Sequence, residues 1–313
     1  MNWKKPLVYI VMPCYNSEKY LLEQLMSIYY QNYTNWYLIF VNDWSTDSSE
    51  EIIRNWISNY DLYDKVKVII KENGGVNSAI QRWLEEVKNI CDIYSGDSLV
   101  SYCDSDDIWT REKLDVQVKY MVDHLDCSIS YHNHCRINEQ WELIEASAIN
   151  YFYHNEKFEY ISTIWNNYIS SSLMFRANEI DEIIPLPYGK WMAQDYWTIV
   201  LLSFLWKNPH FFDCKLTYHR ISNLWLQRTL ENKTLEEKAN IRIKYFSFLK
   251  DRFPDKDLSY IYNYNEDRFL KWELKWYWRF LVYFLTFIKY PRIFFMWLCY
   301  LFCNFLKIKI NIS

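Results

Sequence analysis

Four short, nearly continuous apolar runs stand in the first third of the chain: Leu7–Met12, Trp36–Val41, Val66–Ile70 and Ser98–Cys103. Runs of this length and composition predict strands buried on both faces, as in a parallel sheet. Each is followed by a polar stretch and then by apolar positions at helical spacing. The first helix is predicted from Glu18 to about Tyr30, with Leu21, Leu22, Leu25 and Ile28 on one face and Ser17 as its cap. Further helices are expected over Ser48–Tyr60 and Asn77–Ile90, and one starting at Thr110 as N-cap. Alternating strands and helices imply an α/β fold: a mostly parallel sheet with helices on both faces. Ligands of such sheets bind beyond the carboxyl ends of the strands. Pro13–Asn16, Asn42–Asp47, Asn73–Asn77 and Asp104–Asp107 all fall at those ends.

The pattern then loosens. Ser128–Tyr131 reads as a strand with an antiparallel excursion through Arg136–Ile144. Ile169–Phe175 reads as another strand, Ala193–Trp197 opens an apolar helix to about Leu205, and Phe211–Tyr218 is a last strand. From Leu230 the chain turns charged and helical. The division expected is one domain over 1–229, with halves 1–107 and 108–229, and a helical extension over 230–313. Within the extension, Trp272–Ile288 and Ile293–Leu306 are apolar and aromatic, interrupted at Lys289–Arg292. Each half is shorter than the roughly 20 residues a spanning helix needs, and Pro291 breaks or kinks the run. The mixture of Trp, Tyr, Lys and Arg suits an in-plane or shallow membrane anchor. A helical hairpin packed on the preceding domain is the alternative.

The chemistry gathers at Asp104-Ser-Asp-Asp107. Three carboxylates at one strand end repel one another unless a cation offsets them. All-oxygen donors suit Mg²⁺ or Mn²⁺, with substrate phosphates completing the shell. The same residues could also be a solvated acidic turn. A net charge of −4 argues against a nucleic-acid partner. Eight scattered cysteines without a C-x-x-C pair suggest free thiols in a reduced compartment, and the amino terminus shows no signal-peptide pattern. No G-x-G-x-x-G follows the first strand, which disfavours a dinucleotide-dependent oxidoreductase. His132 and His134 share a strand face without a third ligand at metal spacing and read as structural.

Pro13-Cys-Tyr-Asn16, Asn42-Asp-Trp-Ser-Thr-Asp47, Asn73-Gly-Gly-Val-Asn-Ser-Ala79, Cys103-Asp-Ser-Asp-Asp-Ile-Trp109 and Gln194-Asp-Tyr-Trp197 stand in order at the strand ends. With these anchors the chain resembles family 2 glycosyltransferases of the GT-A fold over roughly residues 6–228. The Asp-x-Asp-Asp-Ile-Trp form and the late Asp-Tyr-Trp look most like the rhamnosyltransferase-like branch.

The resemblance implies a Rossmann-like nucleotide-binding half, an acceptor half, and an inverting transfer from a nucleoside-diphosphate sugar. A dTDP- or UDP-sugar would donate to a glycan or lipid-linked acceptor in cell-surface polysaccharide synthesis, at the cytoplasmic face of the membrane. It implies that Asp106, with Asp104, holds the Mg²⁺ or Mn²⁺. Pro13, Tyr15, Asn16, Asp43, Asn73 and Asp104 would line the nucleotide-sugar pocket, with Asp43 on the base. Asp195 matches the catalytic base. Asn42 stands where the family often has Asp, and is left out of the metal set. His219 follows the last strand, where family members often carry basic or imidazole groups and where it could reach the diphosphate or metal; its spacing departs from the family's, which favours a surface or packed histidine. A non-catalytic sugar-nucleotide or glycan-binding module on the same fold is the alternative function.

Glycine occurs 4 times and tryptophan 16 times, where average usage would give roughly twenty glycines. Trp44 and Trp83 occupy positions where the resembling family often has glycine. Trp141 lies in a predicted hairpin turn, and Trp206 where a helix would take a glycine cap. Some of these tryptophans are therefore candidates for glycine positions.

Overall fold

A computed structural model describes residues 5–90, 98–146, 169–186, 197–198, 201–202, 208–221, 251–252 and 254. The chain divides into two units, Met1–Trp225 and Leu226–Ser313, and every element below belongs to the first. Strands β1 (Val8–Cys14), β2 (Trp36–Asn42), β3 (Val66–Ile70) and β4 (Leu99–Tyr102) alternate with helices α1 (Leu21–Tyr29), α2 (Ser49–Tyr60) and α3 (Val76–Ile90). There follow β5 (Ile108–Trp109), α4 (Lys113–Asp123), β6 (Ile129–Ile137), β7 (Leu143–Glu145), β8 (Met174–Arg176), a short α5 (Ile180–Ile183) and β9 (His210–Arg220).

The sheet order is β3-β2-β1-β4-β8-β6-β9-β5, with β7 on β6. On the β3-β2-β1-β4 side every pairing is parallel. Beyond β4 the sheet is mixed: β8 is antiparallel to both β4 and β6, while β6 and β9 run parallel.

Alternation along the strands explains the layers. Val8, Ile10, Met12, Leu38 and Phe40 share one core cluster with Leu21, Leu25 and Ile28 of α1 and Ile53 and Trp56 of α2. Side chains of adjacent strand residues point to opposite faces, so Tyr9, Val11, Ile39 and Val41, all buried, face the other way. Helix α3 packs against β1 and β2. Apolar residues on both strand faces therefore require helices on both.

Several local expectations are corrected. Helix α1 begins at Leu21 rather than Glu18, because the Ser17 hydroxyl is engaged elsewhere and only its carbonyl accepts the Tyr20 and Leu21 N–H groups. Helix α4 begins at Lys113, and Thr110 is no cap: its hydroxyl is buried without a partner. Residues 108–109, just before that helix, form β5 and pair with Tyr218 and Thr217. The run 169–175 breaks into a 3₁₀ turn, Ser170–Ser172, before β8. Among the described residues no helix is long and apolar enough to cross a membrane. The segment 272–306, on which the anchor rests, lies outside them.

Candidate functional site

The loops after β1 and β2 are buckled together by reciprocal bonds. Asn16 Oδ1 accepts from Thr46 N at 2.8 Å, and Asn16 N donates to Ser45 Oγ at 3.1 Å. Glu18 N donates to Asp47 Oδ2 at 2.9 Å, while Ser48 N returns a bond of 2.9 Å to Glu18 Oε2. Ser17 N reaches Ser49 Oγ at 2.9 Å. Each loop thus satisfies backbone donors of the other, and the carboxyl ends of β1 and β2 become one rigid edge. Pro13 and Tyr15 are half-buried on that edge, and Asn16 is exposed.

Asp43, at the end of β2, is buried. Its Oδ1 accepts from Lys71 Nζ at 2.7 Å and Gly74 N at 3.0 Å, and its Oδ2 from Gly75 N at 2.8 Å. The loop after β3, with Asn73 exposed at its start, is clasped onto this carboxylate. Gly75 has φ 81°, a backbone glycine adopts without the Cβ clash. Lys71 went unnoticed in the sequence, where a lysine at a strand end reads as solvated.

The acidic loop follows β4. Asp104 N donates to Ser171 Oγ at 2.9 Å, and the Ser105 hydroxyl lies 2.7 Å from that of Ser17. Asp104 and Asp106 are half-buried, whereas Asp107 is fully enclosed. Asp107 Oδ1 accepts from His219 Nδ1 at 3.0 Å and from Arg220 N at 3.1 Å. Arg220 Nε also donates to the Asp106 carbonyl at 3.1 Å, its guanidinium pairs with Glu23, and it lies 4.5 Å from the Tyr20 ring. The last strand therefore closes over the acidic loop. His219, expected at the surface or simply packed, is bonded to that loop.

These contacts split the carboxyl groups. Burial and the neighbouring Asp107 charge push Asp106 up to about 6. Burial alone would raise Asp107 too, but the charge and hydrogen bond of His219 and the Arg220 N–H hold it below the ordinary carboxylate range. Burial would lower His219, but Asp107 opposite it raises it. Asp107 Oδ2 remains buried without a hydrogen-bond partner. Among the described residues no group of three or more His, Cys, Asp or Glu side chains could hold a metal ion. The donor set suits a hard cation held by one or two carboxylates, its shell completed by phosphate oxygens. Asp104 and Asp106 are the half-buried carboxylates of this loop.

Beneath the loop lies a buried polar layer that the sequence did not announce. Lys113 is fully buried, donates to Ser101 Oγ at 3.0 Å and Gln117 Oε1 at 2.8 Å, and sits 4.0 Å over the Trp109 ring. Burial pushes it down to about 7. His132 and His134 are also buried, and burial takes His134 down to about 3. Both are neutral packing groups.

Asp195 lies outside the described residues. Two residues on, Trp197 is buried with its indole donating to Ile183 O at 2.8 Å. The Thr198 hydroxyl is 3.0 Å from that of Tyr102 on β4, the strand that delivers Asp104. Trp83 is enclosed in α3, whose helical backbone asks for no glycine. Trp206 lies outside the described residues.

Residues 9–181 match the model of Glycosyl transferase family 2. The chain is 30% identical over 131 residues to the putative teichuronic acid biosynthesis glycosyltransferase TuaG of Bacillus subtilis, covering 42% of this chain and 47% of that protein. It is 30% identical over 193 residues to an uncharacterized glycosyltransferase of Haemophilus influenzae, covering 61% and 69%. Against the Escherichia coli protein named UDP-Glc:alpha-D-GlcNAc-diphosphoundecaprenol beta-1,3-glucosyltransferase WfgD it is 28% identical over 137 residues, 42% of this chain and 47% of that one. The chain thus spans about half the length of TuaG and of WfgD. The crystal structure of S. aureus TarS 1-349 in complex with UDP-GlcNAc superposes with a TM-score of 0.59 at 17% identity, covering 84% of this chain and 70% of that one. The Pyrobaculum calidifontis mannosyltransferase PcManGT, in complex with GDP-Man and Mn2+, gives 0.54 at 14% identity, covering 79% and 65%. At these identities the likeness establishes a shared fold.

Proposed function

Because the chain belongs to glycosyl transferase family 2, we propose that it is an inverting, metal-dependent glycosyltransferase that moves a sugar from a nucleoside-diphosphate donor to a glycan or lipid-linked acceptor in cell-surface polysaccharide synthesis. The observation that carries this reading is that two acidic centres follow parallel strands, β2 and β4, at the same edge of the sheet. Asp43 is gripped by the loop after β3, and the Asp104–Asp107 loop is closed over by His219 and Arg220.

In this reading Asp43 takes the base of the donor, with Pro13, Tyr15, Asn16 and Asn73 around the nucleoside. Asp106 and Asp104 would hold Mg²⁺ or Mn²⁺. The bound cation would supply positive charge as the diphosphate leaves. Asp195 accepts the proton of the acceptor hydroxyl while that oxygen bonds to the anomeric carbon, and the bond from that carbon to the diphosphate oxygen breaks. One displacement from the opposite face inverts the anomeric configuration. Asp107 contacts neither substrate: its bonds to His219 and the Arg220 N–H set the position of the loop.

The names of the relatives support a surface-polysaccharide role, and the solved neighbours bound to UDP-GlcNAc and GDP-Man support a nucleotide-sugar donor, which this reading takes to be a dTDP- or UDP-sugar. The aromatic and basic composition of residues 272–309 supports peripheral attachment at the cytoplasmic membrane face. The experiment is a screen of nucleotide-sugars for protection against thermal unfolding with and without Mn²⁺, followed by transfer assays with the donor that protects. Protection by a nucleotide-sugar but by no simple sugar is expected. Protection by none, with or without metal, would contradict the reading.

A further inference from the structure

Two described residues with a left-handed backbone are tryptophans. Trp44 has φ 65° and Trp141 has φ 66°. The other described residues with positive φ are Gly75, Asn16, Asp61 and Asn208. Those types reach the region at small cost, glycine for lack of a Cβ and Asn or Asp through local hydrogen bonds. A bulky residue there is an outlier.

The local bonds hold both positions in place. Asn138 O accepts from Trp141 N at 3.2 Å, and Asn138 N donates to Glu142 O at 3.0 Å. Asn138 Oδ1 accepts from Gln140 N at 2.9 Å and Glu142 N at 2.8 Å. This is a turn followed by one left-handed residue and a bulge, a hairpin whose last loop position takes glycine. Trp44 is fixed from both sides: Asp43 N donates to Cys14 O at 2.8 Å, and Ser45 N to Asn42 Oδ1 at 2.8 Å. Neither residue leaves the left-handed region without breaking such bonds.

The side chains do not account for the strain. Trp44 is 55% exposed and Trp141 is 50% exposed, whereas Trp36, Trp56, Trp83, Trp109 and Trp197 are all buried. The Trp141 ring lies 5.2 Å from the Arg220 guanidinium and 6.4 Å from the Tyr218 ring, and its indole N–H donates to Glu23 Oε1 at a long 3.4 Å, surface contacts made outside the core. The chain as a whole carries 16 tryptophans and 4 glycines, so the residue in excess occupies the positions suited to the residue in deficit.

We propose that positions 44 and 141 are glycine in the protein its cell makes, each encoded by a stop codon reassigned to glycine and read on paper as tryptophan. The loop after β2 then presents bare backbone between Asp43 and Ser45, and the β6–β7 hairpin turns without a ring at its tip. This inference stands on backbone geometry and composition, independently of the function proposed above.

The test is peptide mass spectrometry of the protein isolated from its native cell, over residues 38–54 and 136–146. Glycine at 44 and 141 is expected, and tryptophan at either overturns the proposal for that position. A second measurement uses the full chain made with tryptophan. Trp44→Gly and Trp141→Gly should each raise the folded-to-unfolded ratio about 5–30-fold, and the alanine variants should fall clearly short of that. Equal gains from glycine and alanine would show that the ring, and not the backbone, is at fault, and would overturn the geometric argument.

Discussion

His219 Nδ1 lies 3.0 Å from Asp107 Oδ1, so the last strand of the sheet is bonded to the acidic loop that follows the fourth. Asp107 is fully enclosed and the His219 side chain keeps 20% exposure. Removing Asp107 takes the acceptor from His219 Nδ1, and removing His219 leaves Asp107 Oδ1 with the Arg220 N–H alone. In a double-mutant cycle of Asp107→Ala and His219→Ala, measured by urea unfolding, the coupling should be about 1.5–3 kcal/mol, the range for hydrogen bonds to charged groups. Strictly additive losses would mean that the two residues do not act as a pair.

Asp43 is held by Lys71 Nζ at 2.7 Å and by the N–H groups of Gly74 and Gly75. Asp43→Ala should weaken nucleoside-diphosphate binding by about 10–100-fold, as expected for loss of a charged hydrogen-bond acceptor. Lys71→Met should weaken it as well, because the Asp43 carboxylate loses its cation. Isothermal titration with UDP, dTDP and GDP checks both, and unchanged affinity in Asp43→Ala would remove it from the base site.

The first half of the fold was legible because its strands are buried on both faces and read as unbroken apolar runs. The edge carrying Pro13, Asp43, Asn73 and Asp104 followed from strand polarity alone. The start of α1 was misread because the Ser17 hydroxyl serves another partner: Ser17 Oγ lies against Ser105 Oγ instead of capping the helix. Lys113 was illegible, since a lysine in the first turn of a helix ordinarily faces water and only the packing of Trp109, Ser101 and Gln117 around it shows otherwise. Arg220 and Lys71 were missed for the same reason: their partners, Glu23, Asp106 and Asp43, are remote in sequence.

Lys113 gives a pH signature. Its folded value is pushed down to about 7 from the ordinary 10.5. Between these values the unfolded chain holds a proton that the folded chain has released, so stability rises with pH across that window. Below about 7 both states are protonated and the cost of burying the charge is fully present. Relative to Lys113→Met, the native chain should gain up to about 1.4 kcal/mol per pH unit above pH 7. Urea midpoints at pH 6, 7, 8 and 9 test this (approximate settings). A constant difference between the two proteins would place the titration elsewhere.

The aromatic and basic segment 272–309 should bind lipid. The full chain, sedimented with vesicles containing anionic phospholipid, is expected in the pellet, and increasingly so as the anionic fraction rises. A chain that remains wholly in the supernatant would count against membrane attachment.

The central claim, metal-assisted transfer from a nucleotide-sugar, is tested most directly by release of nucleoside diphosphate from the protecting donor in the presence of acceptor. The native chain should turn over with Mn²⁺ or Mg²⁺ and stop with chelator. Asp195→Asn should keep donor binding and lose about 10²–10⁴-fold in rate, the scale of general-base catalysis, while Asp106→Ala should lose metal-dependent donor binding as well. Turnover at the native rate in Asp195→Asn, or turnover indifferent to chelator and to Asp106→Ala, would contradict the account.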